Sequence, residues 1–113
     1  PLVCHAANAV YDKVNTPAFM RNVVERGEQL RNGLREALAS DARVTEVRGS
    51  GLLVGVQLSV PAGPLVGICR DLGLLVITAG AGDVLRLLPP LVVSEAEVDK
   101  AVAVIAEAMG KME

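Results

Sequence analysis

The sequence has very few aromatic residues. Among 113 residues there is no tryptophan, and Tyr11 and Phe19 are the only tyrosine and phenylalanine. Basic residues are few as well, since 11 lysines and arginines against 13 acidic residues give a formal net charge of −2. A nucleic-acid surface needs both clustered cations and rings on which bases can stack. The composition therefore argues against nucleic acid as a partner.

Cysteine and histidine are equally scarce. Cys4 and Cys69 form no CxxC pair, and His5 is the single histidine, so no cluster of metal ligands is expected. Both cysteines are expected to be free, small, buried apolar side chains. The sequence lacks an apolar run of the ~20 residues that a membrane span requires, and it shows no targeting segment. We expect a soluble protein with no metal centre and no membrane partner.

Apolar residues, by contrast, are plentiful. They make up 51% of the chain, whereas charged residues make up 21%. A chain of this length and composition can bury a core, which argues against disorder. The sequence therefore predicts a single domain over residues 1–113.

The first third of the chain has the apolar spacing of helices. From Val3 to Val14, apolar residues recur every three or four positions. Thr16 followed by Pro17 fits the cap and first turn of a second helix, which we expect to run to about Ala39. The polar face of this second helix is expected to include Glu25, Arg26, Glu28, Arg31 and Arg35.

The rest of the chain alternates between strand-like and helical patterns. Strands are predicted near residues 53–58, 74–78 and 84–88, with a further short β-type run before the first glycine turn. A short helix is expected to end at Gly73, and the capping box from Ser94 to Glu97 begins a last helix. The order α-α-β-β-α-β-β-α predicts an α+β fold, with helices packed on a small, largely antiparallel sheet.

Several motifs resemble functional sites but have simpler structural interpretations. "GAGDVL" lacks the third glycine of a dinucleotide loop and leads into a strand, so a tight turn is favoured. "RGSG" at residues 48–51 could form an anion-binding nest, but such a string more often forms a hairpin turn. His5 shares a helical face with Asp12 but has no nucleophile nearby. No lysine has a context that would activate its amine; the three are Lys13, Lys100 and Lys111.

Arg86 lies within "DVLRLLPPLVV", an otherwise largely apolar run. Burying a lone guanidinium is costly unless an anion meets it. One interpretation pairs Arg86 with an internal carboxylate such as Asp83 or Glu46, and the pattern by itself favours this interpretation. The other directs the guanidinium at the carboxylate or phosphate of a ligand.

Three longer strings resemble a known family. "PLVCHAANAVYD", "VRGSGLLVGVQL" and "GLLVITAGAGDVLRLLPPLVVSEAEVDKAV" occur in the order seen in the C-terminal part of class III pyridoxal-phosphate-dependent aminotransferases. The chain is most similar to the acetylornithine aminotransferases of plants and algae. The resemblance implies the small C-terminal domain of a homodimeric fold-type I enzyme, whose large domain binds pyridoxal 5'-phosphate. It also implies that Arg86, in the R-x-x-P-P string, binds a substrate carboxylate. The resemblance thus favours a ligand rather than an internal carboxylate as the partner of Arg86.

The resemblance also implies that these 113 residues lack the parts of the family's enzymes that bind the cofactor. The Schiff-base lysine, the aspartate at the pyridine nitrogen and the phosphate-binding loop of the family match nothing here, so the chain is expected to be inactive by itself. The parent would transfer an amino group between N-acetylornithine and 2-oxoglutarate in arginine biosynthesis, with the chloroplast stroma as the expected location. The alternatives are an ornithine, succinylornithine or 4-aminobutyrate aminotransferase, or a non-catalytic α+β binding module.

Overall fold

The computed structural model describes all residues, 1–113. Its helices are α1 (Leu2–Val14), α2 (Pro17–Ala37), α3 (Gly63–Asp71) and α4 (Glu95–Lys111). Its strands are β1 (Val44–Ser50), β2 (Leu53–Leu58), β3 (Ile77–Ala79) and β4 (Val84–Leu87). The succession of elements and the α+β class are as predicted. No helix is both long and apolar enough to cross a bilayer.

The four strands form one antiparallel sheet in the order β1-β2-β4-β3. Strands β2 and β4 are therefore central. Val54 pairs with Leu87 and Val56 pairs with Leu85. Residues that face each other across antiparallel strands point to the same side of the sheet. These four residues thus form one apolar side, and the residues between them form the other.

The core lies between this apolar side and helices α2, α3 and α4. Its most completely buried side chains are Leu30, Leu34, Val54, Val56, Leu65, Cys69, Leu85, Val98, Ile105 and Met109. Cys69 is buried as expected, and this burial raises the pKa of its thiol. The opposite side of the sheet stays open, since Leu53 and Ile77 on it are about half exposed.

Helix α1 lies apart from the core. None of its 13 residues is buried, and Leu2, Val3 and Val10 are 83%, 79% and 62% exposed. The molecule is correspondingly elongated, with extents of 50 × 26 × 23 Å. Cys4, which the sequence predicted to be buried, is exposed because α1 has no partner layer. An apolar helix that packs on so little leaves an exposed apolar surface of the kind that marks interaction sites.

Two helix starts follow the predicted capping interactions. The hydroxyl oxygen of Thr16 accepts a hydrogen bond from the Phe19 amide at 3.3 Å. The Ser94 hydroxyl oxygen accepts one from the Glu97 amide at 3.2 Å. Each bond satisfies an amide that has no partner within the helix. These local interactions explain why the starts of α2 and α4 could be predicted from sequence.

The ends of two elements differ from the prediction. Helix α2 ends at Ala37 rather than near Ala39. Strand β3 begins at Ile77 rather than at residue 74, because the amide of Leu74 donates to the Cys69 carbonyl and closes the end of α3. This bond belongs to a Schellman motif, which turns the chain before it can join the sheet.

Arg26 is buried, although the sequence pattern placed it on the polar face of α2. It is 8% exposed, and its Nη1 lies 2.9 Å from Oε1 of Glu95 on α4. Nearby, Gln29 Nε2 donates to Asp99 Oδ1 at 2.7 Å. The two contacts join residues that are about 70 positions apart, so the helical pattern of α2 could not reveal them.

Arg43, held by a salt bridge to Asp41, connects the chain before β1 to the end of α4. Arg43 Nη2 lies 2.7 Å from Asp41 Oδ2. The same guanidinium donates to the carbonyl oxygens of Met109 and Met112, each at 2.7 Å. A cation at these carbonyls complements the negative end of the helix dipole. The hydrogen bonds from Arg43 hold the pKa of Asp41 below its ordinary value.

Gly27→Ala tests how closely α2 approaches the β1–β2 turn. A Cβ on Gly27 would overlap the carbonyl oxygen of Gly51. Alanine normally stabilises a helix interior by up to about 1 kcal/mol relative to glycine. Here we expect it to lower the free energy of unfolding by about 1–3 kcal/mol, because the overlap forces the backbone apart. In the matched control, Gly67→Ala in α3, the new Cβ meets nothing within 4 Å and should be neutral or stabilising. Urea unfolding measures the free energy of unfolding of each variant. Equal changes in the two variants would contradict the close approach of α2 to the β1–β2 turn.

Asp41→Asn tests the salt bridge through its pH dependence. Because the pKa of Asp41 is lower in the folded state, the bridge adds stability above the unfolded value of about 4. That stability is lost as the pH falls through the folded value. The variant should be less stable than wild type near neutral pH, and the difference should shrink on acidification. Asp71→Asn, whose carboxylate is 78% exposed, is the control. Thermal melts across the acid range check this, and a difference independent of pH would refute it.

Candidate functional site

The open side of the sheet brings together two arginines that are distant in sequence. Antiparallel pairing places Arg48 opposite Gly55, Gly55 opposite Arg86, and Arg86 opposite Ile77. The four residues form one row across the sheet, with their side chains on the same side. Since neighbouring strands lie about 4.8 Å apart, the Cα atoms of the two arginines are separated by roughly 10 Å.

Arg86 is the unpaired cation of this row. Its neighbours Leu85 and Leu87 are buried in the core, so strand alternation presents Arg86 on the open side, where it is exposed. It makes no salt bridge within the chain. The alternative in which Arg86 pairs with Asp83 or Glu46 is therefore wrong.

Glu46 is engaged by the other arginine of the row. Its Oε2 lies 2.8 Å from Arg48 Nη1, and Arg48 Nη2 donates to Gln57 Oε1 at 3.2 Å. Gln57 in turn donates through Nε2 to the carbonyl oxygen of Asp83 at 3.4 Å. The charge of Arg48 is thus compensated and its side chain is held. The net positive charge of this row comes from Arg86.

A shallow groove of about 260 Å³ lies between the two arginines. Gly55 forms its floor, and Leu53 and Val84 contribute apolar walls. One free guanidinium beside apolar walls is a suitable arrangement for a small ligand that carries a carboxylate. A second cavity, of about 340 Å³ between the exit of β4 and helix α4, is mostly apolar and carries Glu97, which disfavours anions.

The other candidate motifs have the simpler structures that we predicted. "RGSG" forms the end of β1 and enters the β1–β2 hairpin turn at Gly51, which has a φ of +54°. "AGAGD" forms the β3–β4 turn, where Gly80 and Gly82 have φ values of +63° and +90°. His5 is exposed on α1. The candidate site therefore centres on Arg86, and Arg48, Gly49 and Ser50 of "RGSG" are among the residues that line its groove.

Comparison with known proteins identifies the family. The family model described as aminotransferase class-III matches residues 1–109. The chain belongs to this family. The resemblance seen in its sequence motifs is thereby confirmed.

Similar proteins include several acetylornithine aminotransferases. The mitochondrial acetylornithine aminotransferase of Alnus glutinosa is 44% identical over 109 residues, which cover 96% of this chain and 24% of that protein. The acetylornithine aminotransferase of Listeria innocua is 36% identical, over 97% of this chain and 28% of that protein. The structure of acetylornithine aminotransferase from Elizabethkingia anophelis matches 99% of this chain and 30% of its own, at 26% identity and a TM-score of 0.89. The chain thus spans about a quarter of the length of these relatives.

The lysines of this chain do not fit the cofactor that the family implies. Class III aminotransferases use pyridoxal phosphate, which is held through a lysine Schiff base. Lys13 and Lys100 are exposed on helix surfaces, and Lys111 Nζ lies 2.9 Å from Glu107 Oε1. None of the three lines the groove at Arg86.

Sequence reasoning identified Arg86 but gave no role to Gly55. One signal was present: in the string "LVGVQL", strand alternation sets Gly55 on the opposite side from Val54 and Val56. Its position beside Arg86 depends on the pairing of β2 with β4, which the local pattern did not contain.

Proposed function

We propose that this chain is the small domain of an acetylornithine aminotransferase, in which Arg86 binds the carboxylate of the substrate. The parent enzyme would transfer an amino group between N-acetylornithine and 2-oxoglutarate in arginine biosynthesis. The observation that carries this proposal is the unpaired, exposed guanidinium of Arg86 on the open side of the sheet. The acetylornithine aminotransferases among the similar proteins support the choice of substrate.

The role of Arg86 follows from its geometry. A guanidinium offers two parallel N–H donors to a carboxylate, which fixes orientation as well as charge. Strand β4 is hydrogen-bonded to β2 and β3 on its two sides, so the backbone beneath Arg86 is rigid. Pro89 and Pro90 stiffen the chain where it leaves the strand, because each fixes φ and lacks an amide donor. Arg86 is thereby a fixed point against which a substrate can be aligned.

The substrate of each half-reaction carries a carboxylate of the kind that Arg86 would bind. N-acetylornithine, ornithine, glutamate and 2-oxoglutarate each carry a carboxylate at C1. That carboxylate lies four bonds from the reacting C5 of N-acetylornithine but one bond from the reacting C2 of glutamate and 2-oxoglutarate, so a fixed guanidinium does not hold donor and acceptor alike. Arg86 therefore does not distinguish acetylornithine from ornithine. The ornithine aminotransferase of Toxoplasma gondii, at 26% identity and a TM-score of 0.87, has the same fold over 96% of this chain.

The remaining parts of the enzyme are proposed to lie outside these 113 residues. Pyridoxal phosphate and its lysine would belong to a large domain of the same enzyme, which we propose to be a homodimer. Helix α1, with an apolar face and no buried residue, would pack against that large domain. The length of the relatives supports a large domain as the partner of α1. About three-quarters of the Alnus glutinosa enzyme lies outside the part that matches this chain.

The resemblance to plant and algal enzymes supports an organellar location. We propose the chloroplast stroma, whereas the Alnus glutinosa enzyme is named mitochondrial. A fluorescent fusion of the native full-length protein, imaged with markers of both organelles, distinguishes the two.

Arg86→Lys tests the proposed function in the full-length enzyme that carries this chain as its C-terminal part. Lysine keeps the charge but loses the bidentate fork. We expect kcat/KM to fall by the factor that corresponds to about 2–4 kcal/mol of lost transition-state stabilisation, in each half-reaction whose substrate carboxylate Arg86 holds. The melting temperature should change little, because Arg86 has no partner within the domain.

The matched control for this variant is Arg70→Lys, since Arg70 is exposed and distant from the groove. Single-turnover measurements of each half-reaction, together with thermal melts, provide the comparison. Near-normal kinetics with a large loss of stability would show that Arg86 has a structural role. A folded full-length enzyme that does not use acetylornithine would overturn the choice of substrate.

The apolar face of α1 should make the isolated chain self-associate. We expect the 113-residue chain to bind an apolar fluorescent dye and to form oligomers as its concentration rises. Val10→Gln, on the apolar face, should reduce both effects, whereas the control His5→Gln, on the polar face, should not. Neither variant should change the melting temperature, because neither residue is buried. Sedimentation and dye fluorescence check this, and a monodisperse monomer that binds no dye would contradict it.

A further inference from the structure

Gly55 occupies a position where a strand normally carries a side chain. It lies inside β2 and pairs with β1 on one side and β4 on the other. A glycine there weakens a strand, because it packs nothing and loses more backbone freedom on folding. Its φ is not positive, so its backbone conformation does not require glycine.

Packing within the chain does not require glycine at this position either. An added Cβ would have one atom within 4 Å, Val84 Cγ1 at 3.3 Å. That atom is the end of a side chain, and a shift of a few tenths of an ångström would relieve the contact. This contrasts with Gly27, where the added carbon would overlap a backbone carbonyl. One buried side chain, Val84, therefore restricts a Cβ at position 55, and packing within the chain favours glycine there far less than it does at position 27.

The neighbours of Gly55 indicate what the missing side chain leaves room for. The flanking residues of the row, Arg48 and Arg86, carry long side chains, so Gly55 is the floor of a trough between them. Glycine within a strand often marks the place where a ligand approaches the backbone closely. Arg48 is compensated by Glu46, whereas Arg86 has no partner. The trough therefore attracts an anionic group at its Arg86 end.

Building on the proposed carboxylate site at Arg86, we infer that Gly55 determines which substrates can bind there. The absence of a side chain keeps open a slot in which the carbon chain of the substrate lies on the sheet, while Arg86 holds its carboxylate. Arg48, held by Glu46 and Gln57, forms the far wall of the slot. The ligand class is an aliphatic amino acid or 2-oxo acid that is unbranched where it crosses Gly55.

The test compares two inhibitors of the full-length enzyme that differ in chain length. Acetate is little more than the carboxylate and occupies the fork of Arg86, whereas glutarate extends its carbon chain across Gly55. Gly55→Ala should raise the inhibition constant of glutarate about tenfold or more, the effect of one methyl-sized obstruction in a fitted site. It should raise that of acetate by less than about threefold. Gly67→Ala, in open space on α3, should change neither.

A second variant separates exclusion of the ligand from distortion of the sheet. Val84→Ala combined with Gly55→Ala removes the atom that the new Cβ would press against. If Gly55 keeps the slot open, the weakened binding of glutarate persists in the double variant relative to Val84→Ala alone. If the alanine acts by distorting the strands, the double variant recovers normal binding, and the inference is overturned.

The outcomes also separate this inference from the proposed function on which it rests. Arg86→Lys should weaken acetate and glutarate together. If Arg86→Lys has this effect but Gly55→Ala weakens both inhibitors equally or neither, the carboxylate site stands and the slot does not. If Arg86→Lys leaves both inhibition constants unchanged, the proposed function and the slot fail together.

Discussion

The register in which β2 pairs with β4 is the constraint on which the rest of the structure depends. Leu85 and Leu87 point into the core because they align with Val56 and Val54. The same alternation sends Arg86 to the open side. A slip of one residue would bury the guanidinium and expose both leucines, so the apolar core and the free cation are set by a single register. Every feature of the candidate site follows from this one-sided sheet.

Contacts outside the ladder hold that register. The amide of Leu58 donates to the carbonyl oxygen of Asp83 at 2.8 Å, which extends the pairing to the residue before the start of β4. The Ala62 amide donates to the Gly82 carbonyl at 2.8 Å and ties the start of α3 to the β3–β4 turn. Arg43 connects the entry to β1 with the end of α4. The strands therefore cannot slide without breaking bonds at both ends of the sheet.

Local sequence patterns predicted those features of the fold that depend on residues close together in the chain. Capping by Thr16 and Ser94 made the starts of α2 and α4 predictable, and the apolar run around Arg86 was enough to single out this residue. The buried state of Arg26 was missed because its partner, Glu95, lies far along the chain. The row that joins Arg48 to Arg86 was missed for a similar reason. It exists because β4 pairs with β2 while β3 lies at the edge of the sheet. The hydrophobic periodicity of a single segment does not show this strand order.

The lack of a partner for Arg86 within the chain has an energetic consequence for binding. In water, an exposed guanidinium is well solvated and its charge costs the fold little. Once a second protein layer covers the open side, that solvation is lost, and an uncompensated charge becomes costly by several kcal/mol. Glu46 offers no relief because it is held by Arg48. Under the proposed function, the substrate would bring the carboxylate that neutralises Arg86, so covering the site and binding the substrate would favour each other. A carboxylate supplied from within the domain would have removed this coupling.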